Sequence, residues 1–224
     1  VLIGADGFVS YMQRYTGQIS SYHNLRDFPF DRQIFRIEIG PISLNSGQLQ
    51  LIADNKNTWI SNRLNVEGWT VKGVNLASEE YFFRQIDQDV SVLALTIDAK
   101  RNQDYYVYRV LLLLGFVVAM SWIIFWIPPS RLEFQIGLGA TAMLTVIAFN
   151  LSVSSRLPQL GYLTILDKIL AVSIGLVFLS IVEGLVAGLL VLKEREDLAL
   201  KIDKVSRVIF PVALILAWAA LIYS

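Results

Sequence analysis

Four long apolar stretches in the second half of the sequence constrain its fold more than any other feature. They cover residues 105–127, 131–155, 162–192 and 201–223. Each is close to or above the roughly 20 residues that a helix needs to cross the hydrocarbon core of a bilayer. The composition agrees, because 54% of the residues are hydrophobic and the mean hydropathy is +0.53. Such a chain is too apolar for an ordinary soluble domain, so four transmembrane helices are predicted.

Basic residues between the stretches predict an orientation. The connection between the third and fourth stretches and the residues that follow it carry Lys193, Arg195, Lys201, Lys204 and Arg207. The connection between the first and second carries Arg131, whereas the one between the second and third offers only Arg156. By the positive-inside rule, the N-terminal part of the chain lies outside.

Composition and motifs exclude several classes of function. Nineteen basic and nineteen acidic residues balance, which argues against a nucleic-acid partner. The 224 residues contain no cysteine, which excludes disulfides and thiolate metal sites. We find no phosphate loop, nucleophile elbow or zinc spacing, so we expect no enzyme, no cofactor and no metal site. The sequence starts without Met and inside a predicted strand at Val1, so we expect it to be part of a longer chain.

Residues 1–104 are more polar and carry a β pattern. Alternating runs predict strands at Arg36–Ile39, Gln48–Ile52 and Asp89–Ile97. Turn signals separate them, at residues 5–7, 45–47 and 54–57. This pattern predicts an antiparallel β-sandwich. The strands are fewer than a complete sandwich needs, so a partial one is expected.

The second apolar stretch carries a stripe of mixed character. Steps of three or four residues place seven side chains on one helical face, namely Glu133, Gly137, Thr141, Leu144, Ala148, Leu151 and Ser155. A stripe that faced only lipid would not carry an acid and a threonine. The alternation of acid, small, hydroxyl and large apolar residues is typical of a helix that lines a pore.

Arranged around a common axis, this stripe would build a pathway for cations. Glu133 would form a ring of carboxylates that attracts cations and repels anions. Leu144 and Leu151 would form apolar constrictions that can gate by dewetting. Arg131 lies about 200° around the helix from Glu133 and points elsewhere. The alternative is that Glu133 is a solvated residue at a helix end.

The most specific motif lies in the first half. Residues 28–33, Phe-Pro-Phe-Asp-Arg-Gln, resemble the FPFDxQ core of the signature loop in the Cys-loop receptor superfamily, the pentameric ligand-gated ion channels. Animal members close this loop with two cysteines, whereas this chain has Ser21 and Phe35 at those positions. The loop without the disulfide resembles the prokaryotic branch.

Further segments carry the same resemblance in the same order. They are Gly68–Trp69, Phe125–Trp126, Thr141–Val146, Leu157–Pro158 with Tyr162, Val205–Arg207 and Phe210–Pro211. Two departures stand out. The family often has a proline in the first membrane helix, and residues 111–118 have none. The sequence also starts near the family's fifth or sixth outer strand.

The resemblance implies an α+β membrane protein assembled as a pentamer. Residues 1–104 would be the C-terminal part of an extracellular ligand-binding β-sandwich, and residues 105–224 a four-helix pore domain. The chain would form a homopentamer in membrane lipid, in the plasma (inner) membrane of a bacterium, and conduct monovalent cations. Agonist binding outside would bias the tilt of the pore helices. The candidates for the agonist or modulator are a small molecule, a proton and a divalent cation.

The resemblance also implies residues that couple binding to opening. They are Phe28, Pro29, Phe30, Asp31, Arg101, Arg156 and Pro158. Asp31 and Arg101 are candidates for a buried ion pair. The alternative for Arg101 is a juxtamembrane side chain that extends its charge into water.

Aromatic residues mark the expected agonist site. Tyr81, Phe82 and Phe83 lie where the family has the loop that caps the agonist, and such rings hold an ammonium group by cation–π contact. The alternative is that they pack at a strand end. Nearby acids could instead bind a divalent cation, although their spacing fits no EF-hand loop; they are Glu79, Glu80, Asp87 and Asp89.

One acid lies inside an apolar stretch. Glu183 is either a proton-sensing site or a residue that is hydrogen-bonded between helices, and the second interpretation is favoured. Other classes of function stay open: a non-conducting membrane sensor of the same fold, an anion-selective member of the family, and a secondary transporter. A secondary transporter would show internal repeats and broken helices, and this sequence shows neither.

Overall fold

The computed structural model describes residues 1–18, 23–61, 66–84, 87–155 and 160–223. The chain divides into two compact units. The first comprises Val1–His23, Ile34–Asn62 and Gly73–Asp98. The second comprises Asn24–Gln33, Arg63–Lys72 and Ala99–Ser224. The helical unit therefore includes segments from the first half of the sequence.

Short strands open the chain. β1 (Leu2–Ile3) pairs antiparallel with β2 (Val9–Ser10). The predicted turn between them is present, and Gly7 adopts φ +83° there, a conformation that glycine reaches without steric cost. The other two predicted turns, at residues 45–47 and 54–57, are also confirmed.

Three longer strands form one sheet. They are β3 (Arg32–Ile39), β4 (Trp69–Phe83) and β5 (Gln88–Arg101), in the order β3-β5-β4. The central strand β5 is the most buried, with Val90, Val92 and Ala94 shielded from solvent. The strands predicted at Arg36–Ile39 and Asp89–Ile97 fall within β3 and β5. The described strands therefore form a partial β domain.

The prediction of a strand at Gln48–Ile52 is wrong. This segment has no ladder partner, although its residues alternate in polarity. Its backbone bonds to side chains instead, since the Leu51 N–H donates to Ser91 Oγ at 2.9 Å and the Ala53 N–H donates to Ser78 Oγ at 2.7 Å. The segment is thus held beside the sheet as irregular chain.

Four helices in the second unit are long and apolar enough to cross a membrane. They are α1 (Asp104–Trp126), α2 (Leu132–Ser154), α3 (Ile165–Leu192) and α4 (Glu196–Tyr223). The prediction of four membrane-length helices is confirmed. α3 begins three residues after the predicted start at 162, and α4 begins five residues before the predicted start at 201.

The first helix is not uniform. It opens with a short α segment, continues as a π-helix over Val107–Leu111 and as an α-helix over Leu112–Ser121, and ends as a 3₁₀-helix over Trp122–Trp126. The sequence lacks a proline over residues 111–118, and the π segment over Val107–Leu111 is a local departure from α geometry.

The core of the second unit lies between the helices. α1 contributes Leu114 and Val118, and α2 contributes Ala142 and Val146. α3 adds Leu166, Ile169 and Val177, and α4 adds Leu214. Small residues on α2 and α3 allow close approach: a Cβ at Gly139 would lie 2.6 Å from Ile181 Cγ1.

Candidate ion pathway and coupling loop

The predicted stripe on α2 lies on its exposed side. All seven stripe residues are exposed in the single chain. The opposite side of α2 is buried against the bundle and carries Gln135, Gly139, Ala142 and Val146. Leu144 and Leu151 are 69% and 65% exposed. The bundle of one chain therefore leaves this stripe uncovered along the whole helix.

The stripe spans the thickness of a membrane. At 1.5 Å of rise per residue, Leu144 lies about 16 Å along the axis from Glu133, and Leu151 about 27 Å. The acid is thus at one end, the hydroxyl of Thr141 is near the middle, and one leucine lies on each side of Ala148. This order follows from the sequence and the rise of a single helix, and it does not depend on a second copy of the chain.

Hydroxyl groups on α2 bond to its own backbone. Thr141 Oγ1 donates to the Gly137 carbonyl at 2.9 Å, and Thr145 Oγ1 donates to the Thr141 carbonyl at 2.8 Å. Because a hydroxyl has one proton and two lone pairs, each oxygen keeps acceptor capacity directed outward. Acceptor oxygens of this kind suit a passing cation or its hydration water.

Glu133 lies in the first turn of α2. A carboxylate is stabilised there by the positive end of the helix dipole. Within the described part of the chain its carboxylate has no ion-pair partner. The Arg131 guanidinium instead lies 6.0 Å from the centre of the Phe134 ring. As predicted, the neighbouring base does not neutralise Glu133.

The loop with the FPFDxQ motif is bonded to the start of α3. The Ile165 N–H donates to the Arg26 carbonyl at 2.9 Å, and the Leu166 N–H donates to the Phe28 carbonyl at 3.2 Å. The first N–H groups of a helix have no partner within the helix. The loop thus supplies acceptors for two of them, which ties it rigidly to α3.

Side chains extend this attachment. The Tyr162 hydroxyl accepts a hydrogen bond from the Leu25 N–H at 2.9 Å. Phe28 is 3% exposed and belongs to the same hydrophobic core as the helices. Its ring meets that of Tyr106 edge to face, with centroids 4.8 Å apart. Pro29 beside it is also buried, and Phe30 is partly buried against the core.

The expected ion pair between Asp31 and Arg101 is present. Arg101 Nε donates to Asp31 Oδ1 at 2.6 Å, and an Nη of Arg101 donates to Asp31 Oδ2 at 3.2 Å. The Asp31 side chain is 2% exposed, and the Arg101 side chain is 16% exposed. Gln33 Nε2 adds a third hydrogen bond to Asp31, at 2.7 Å. Arg101 is therefore a paired residue and not a side chain that extends into water.

Aromatic rings sandwich the arginine. The Arg101 guanidinium carbon lies 4.8 Å from the Phe28 ring centre and 4.2 Å from that of Trp69. Gly68 precedes this tryptophan with φ +80°, and its carbonyl accepts a hydrogen bond from the Asn102 N–H at 2.9 Å. The sequence singled out the Gly-Trp pair only by resemblance. The structure gives Trp69 a contact with the ion pair.

Opposing effects act on the pKa of Asp31. Burial raises this pKa, but hydrogen bonds from Arg101 and Gln33, together with the charge of Arg101, outweigh burial and hold the pKa below its usual value of 3.8. Asp31 is therefore ionised at neutral pH and forms a charged pair with Arg101.

Some predicted coupling residues lie outside the described part of the chain. They are Arg156 and Pro158. Ser21, at the start of the signature loop, also lies outside the described residues. Tyr162 belongs to the same predicted outer connection as Arg156 and Pro158, and its hydroxyl contacts the loop.

The aromatic residues proposed for agonist binding belong to the first unit. Tyr81 and Phe82, at the end of β4, are 55% and 49% exposed, and Phe83 is partly buried. Their rings are accessible to a ligand.

The nearby acids do not gather into a metal site among the described residues. Arg36 donates to Glu79 Oε2 at 2.5 Å and to Glu38 Oε1 at 2.8 Å. These hydrogen bonds, that to Glu79 first, raise the pKa of the guanidinium. Glu79 is thus occupied by a surface ion pair.

The sequence reasoning missed three polar features. Thr164 and Asp167 form a capping box at the start of α3, and the T-x-x-D spacing would have indicated it. Gln135 is 1% exposed on the buried side of α2, where periodicity alone could have placed it. Asp203 is buried on α4, at the polar start of the fourth predicted stretch, 201–223.

These features together define a membrane protein whose helical bundle carries a polar stripe and a docked loop. Comparison with known proteins agrees. Residues 115–197 match the family described as neurotransmitter-gated ion-channel transmembrane region. The chain is 25% identical to a proton-gated ion channel of Gloeobacter violaceus over 217 residues, which cover 97% of this chain and 60% of that protein.

Animal receptor subunits are also similar. A gamma-aminobutyric acid receptor subunit beta of Caenorhabditis elegans is 26% identical over 81% of this chain and 33% of its own length. The human gamma-aminobutyric acid receptor subunit rho-3 is 26% identical over 90% of this chain and 44% of its own length. The chain therefore spans between about a third and 60% of these relatives.

These matches support assignment of the chain to the superfamily of pentameric ligand-gated ion channels, the Cys-loop receptors. Its relatives are ion channels and receptor subunits, which agrees with the expectation that it is not an enzyme.

Proposed function

We propose that the chain is a subunit of a cation-permeable, homopentameric, ligand-gated channel whose pore is lined by the stripe on α2. The observation that carries this proposal is the exposed column from Glu133 through Thr141 to Leu144 and Leu151. Five copies around one axis would turn each of these residues into a ring. The carboxylate ring would favour cations, and the leucine rings would close the pore by excluding water.

The coupling proposal rests on the docked loop. Because the loop caps α3 and also holds the Asp31–Arg101 pair, a displacement of the loop would displace the start of α3 with it. Ligand binding to the preceding β domain would then bias the bundle between two arrangements. The β domain would lie outside the cell and the α3–α4 connection inside, as the distribution of basic residues indicates.

The ligand stays open. The names of the relatives include both a proton-gated channel and receptors for gamma-aminobutyric acid. For this chain we propose that Tyr81, Phe82 and Phe83 contribute to an agonist site for a cationic small molecule, since their exposed rings suit an ammonium group. Protons and divalent cations are the competing agonists.

A variant that opens without agonist makes the pore assignment testable. Leu144→Ala removes the large apolar residue at the middle constriction, so we expect spontaneous current from the full-length protein in planar bilayers. Under a NaCl gradient its reversal potential should lie near that of Na⁺. Adding Glu133→Gln should move the reversal potential towards zero, whereas adding the matched change Glu196→Gln, on exposed α4 sequence, should leave it in place.

Other outcomes separate the alternatives. A reversal potential near that of Cl⁻ would identify an anion-selective member of the family. No current from folded Leu144→Ala protein, at any pH and with any amine tested, would favour a non-conducting sensor.

A further inference from the structure

Two acidic side chains face each other inside the helical bundle. Glu183 on α3 and Asp203 on α4 come within hydrogen-bonding reach of each other. Asp203 is 1% exposed, and both carboxyl oxygens of Glu183 are inaccessible to solvent. Neither residue belongs to the stripe on α2 or to the docked loop. The proposed pore and coupling leave this pair without a role.

The buried oxygens of the pair outnumber the hydrogen-bond donors that face them. Both oxygens of Glu183 and Oδ1 of Asp203 accept no hydrogen bond within the described part of the chain. Gln135 on α2 adds a fourth such acceptor. Its amide nitrogen donates to the carbonyls of Ile124 and Ile127 at 3.3 and 3.0 Å, which leaves its buried Oε1 unpartnered.

That oxygen points towards the acid-bearing segment of α3. A Cβ at Gly184, the residue after Glu183, would lie 3.4 Å from Gln135 Oε1. Three helices thus direct acceptor oxygens towards one region of the bundle. Buried polar atoms are almost always hydrogen-bonded, so this set of acceptors calls for a donor.

The surrounding side chains supply little positive charge. Ser206 on α4 lies beside Glu183, and its hydroxyl can donate one neutral hydrogen bond to the carboxylate. Arg207 lies within electrostatic range of Asp203, but its Nε and one Nη donate to the Phe125 carbonyl at 3.0 and 2.8 Å. The nearby bases are exposed on the surface instead; they are Arg131, Lys193, Arg195, Lys201 and Lys204. Arg207 can balance one carboxylate, not two.

Binding of one proton would supply a hydrogen-bond donor and remove one negative charge. Two carboxylates in contact within an apolar bundle repel each other and lose hydration. A carboxylic acid, unlike a carboxylate, also donates a hydrogen bond. With one proton on Glu183, its O–H can donate to Asp203, and the remaining charge of Asp203 is balanced by Arg207. The cluster is then neutral overall.

We propose that Glu183 and Asp203 form a proton-binding site in which a single proton is held between α3 and α4. Binding forms one O–H bond on a carboxylate oxygen and takes the proton from solvent, with no other reactant. Release of the proton leaves two facing carboxylates and weakens the contact between the helices. The site does not depend on ion conduction, so it stands or falls separately from the proposed channel.

Infrared spectroscopy of the full-length protein in phosphatidylcholine nanodiscs tests the site directly. At pH 7 we expect the carbonyl stretch of a protonated carboxylic acid, shifted by exchange into D₂O. Glu183→Gln should abolish that band. Asp203→Asn removes the neighbouring carboxylate and should change the pH at which the band disappears. Glu196→Gln, which changes an exposed acid on α4, should alter neither.

Two results would overturn the proposal. One is a wild-type spectrum at pH 7 that contains no deuterium-sensitive carboxylic acid band, a result that requires no variant to fold. The other is a band whose intensity and pH dependence are the same in Glu183→Gln and Asp203→Asn as in the wild type. Circular dichroism and gel filtration of each variant establish that it is folded, and either variant alone decides the second result.

Discussion

At the scale of single residues, the ion pair of Asp31 and Arg101 is the best-defined site in the chain. The carboxylate receives three side-chain hydrogen bonds, and the guanidinium is enclosed by two rings. Removing one member of a buried pair is costly because the other charge is left without compensation. Asp31 is therefore expected to matter for stability as well as for coupling.

Asp31→Asn should lower stability at neutral pH and make it less sensitive to acid. We expect a loss of about 3 kcal/mol at pH 7. The pKa of Asp31 is lowered in the folded state, so its stabilisation is present above the unfolded value of 3.8 and is lost as pH falls below that. Thermal unfolding in detergent between pH 7 and pH 3 should therefore show the two proteins converging at the acid end.

Asp27→Asn is the matched control, since it removes an exposed acid of the same loop. It should unfold like the wild type at every pH. A gap between Asp31→Asn and wild type that stays constant down to pH 3 would contradict the lowered pKa.

The same substitution also tests the coupling proposal. Because the pair holds the loop that caps α3, Asp31→Asn should impair opening even in channels that fold and reach the surface. In cells with matched surface expression, currents evoked by acid steps or by primary amines should fall at least about tenfold relative to Asp27→Asn, which corresponds to about 1.4 kcal/mol. Normal currents from well-expressed Asp31→Asn would contradict the proposed role.

At the scale of elements, the start of α3 is where a loop and a helix become one structure. Thr164 Oγ1 accepts from the Asp167 N–H at 3.1 Å, and Asp167 Oδ2 accepts from the Thr164 N–H at 2.9 Å. The loop carbonyls serve the next N–H groups. The helix end thus has its donors satisfied by two different parts of the chain.

Thr164→Ala should destabilise this end by about 1 kcal/mol, the usual cost of losing an N-cap side chain. In a chain of this size that corresponds to a fall in melting temperature of about 2–4 °C. Thr164→Ser keeps the accepting oxygen and should restore most of the loss. Equal melting temperatures for the alanine and serine variants, measured in the same detergent, would show that the cap contributes nothing.

The elements also show what sequence can and does not reveal. Membrane-length helices are predictable because hydropathy sums over many neighbouring residues. The boundaries of α3 and α4 were missed because Thr164 caps one helix and the polar segment at Glu196 is helical despite its charge. Gln48–Ile52 failed as a strand because a strand requires a ladder partner, which no local pattern supplies.

The candidate site divides in the same way. The α2 stripe follows from helical periodicity, so its exposed face was predictable. The aromatic sandwich around Arg101 depends on Phe28 and Trp69, which are distant in sequence. The facing acids Glu183 and Asp203 lie twenty positions apart on two helices, and only the packing of those helices brings them together.

At the scale of the whole molecule, the exposed face of α2 requires an explanation that one chain does not provide. Leu144 and Leu151 are exposed on the same face as an acid and a hydroxyl. A face in contact with lipid would hold Glu133 and Thr141 at high cost, and a face in bulk water would not need two large leucines. A ring of copies around a water-filled axis accommodates both.

Single cysteines can test this arrangement because the 224 residues contain none. Thr141→Cys and Leu151→Cys place a thiol on the stripe, and Ile215→Cys places one on α4, where the side chain is 67% exposed. A thiol that lines an aqueous pore reacts with a charged, water-soluble methanethiosulfonate, whereas a thiol in lipid does not ionise and is shielded.

In nanodiscs, which expose both ends of a pore, we expect the stripe cysteines to be modified at least about tenfold faster than Ile215→Cys, with intact mass as the readout. Native mass spectrometry of the same samples should give five copies per particle. Slow labelling at both stripe positions, with Ile215→Cys equally slow, would place the stripe against lipid and remove the basis for a central pore, whatever the number of copies.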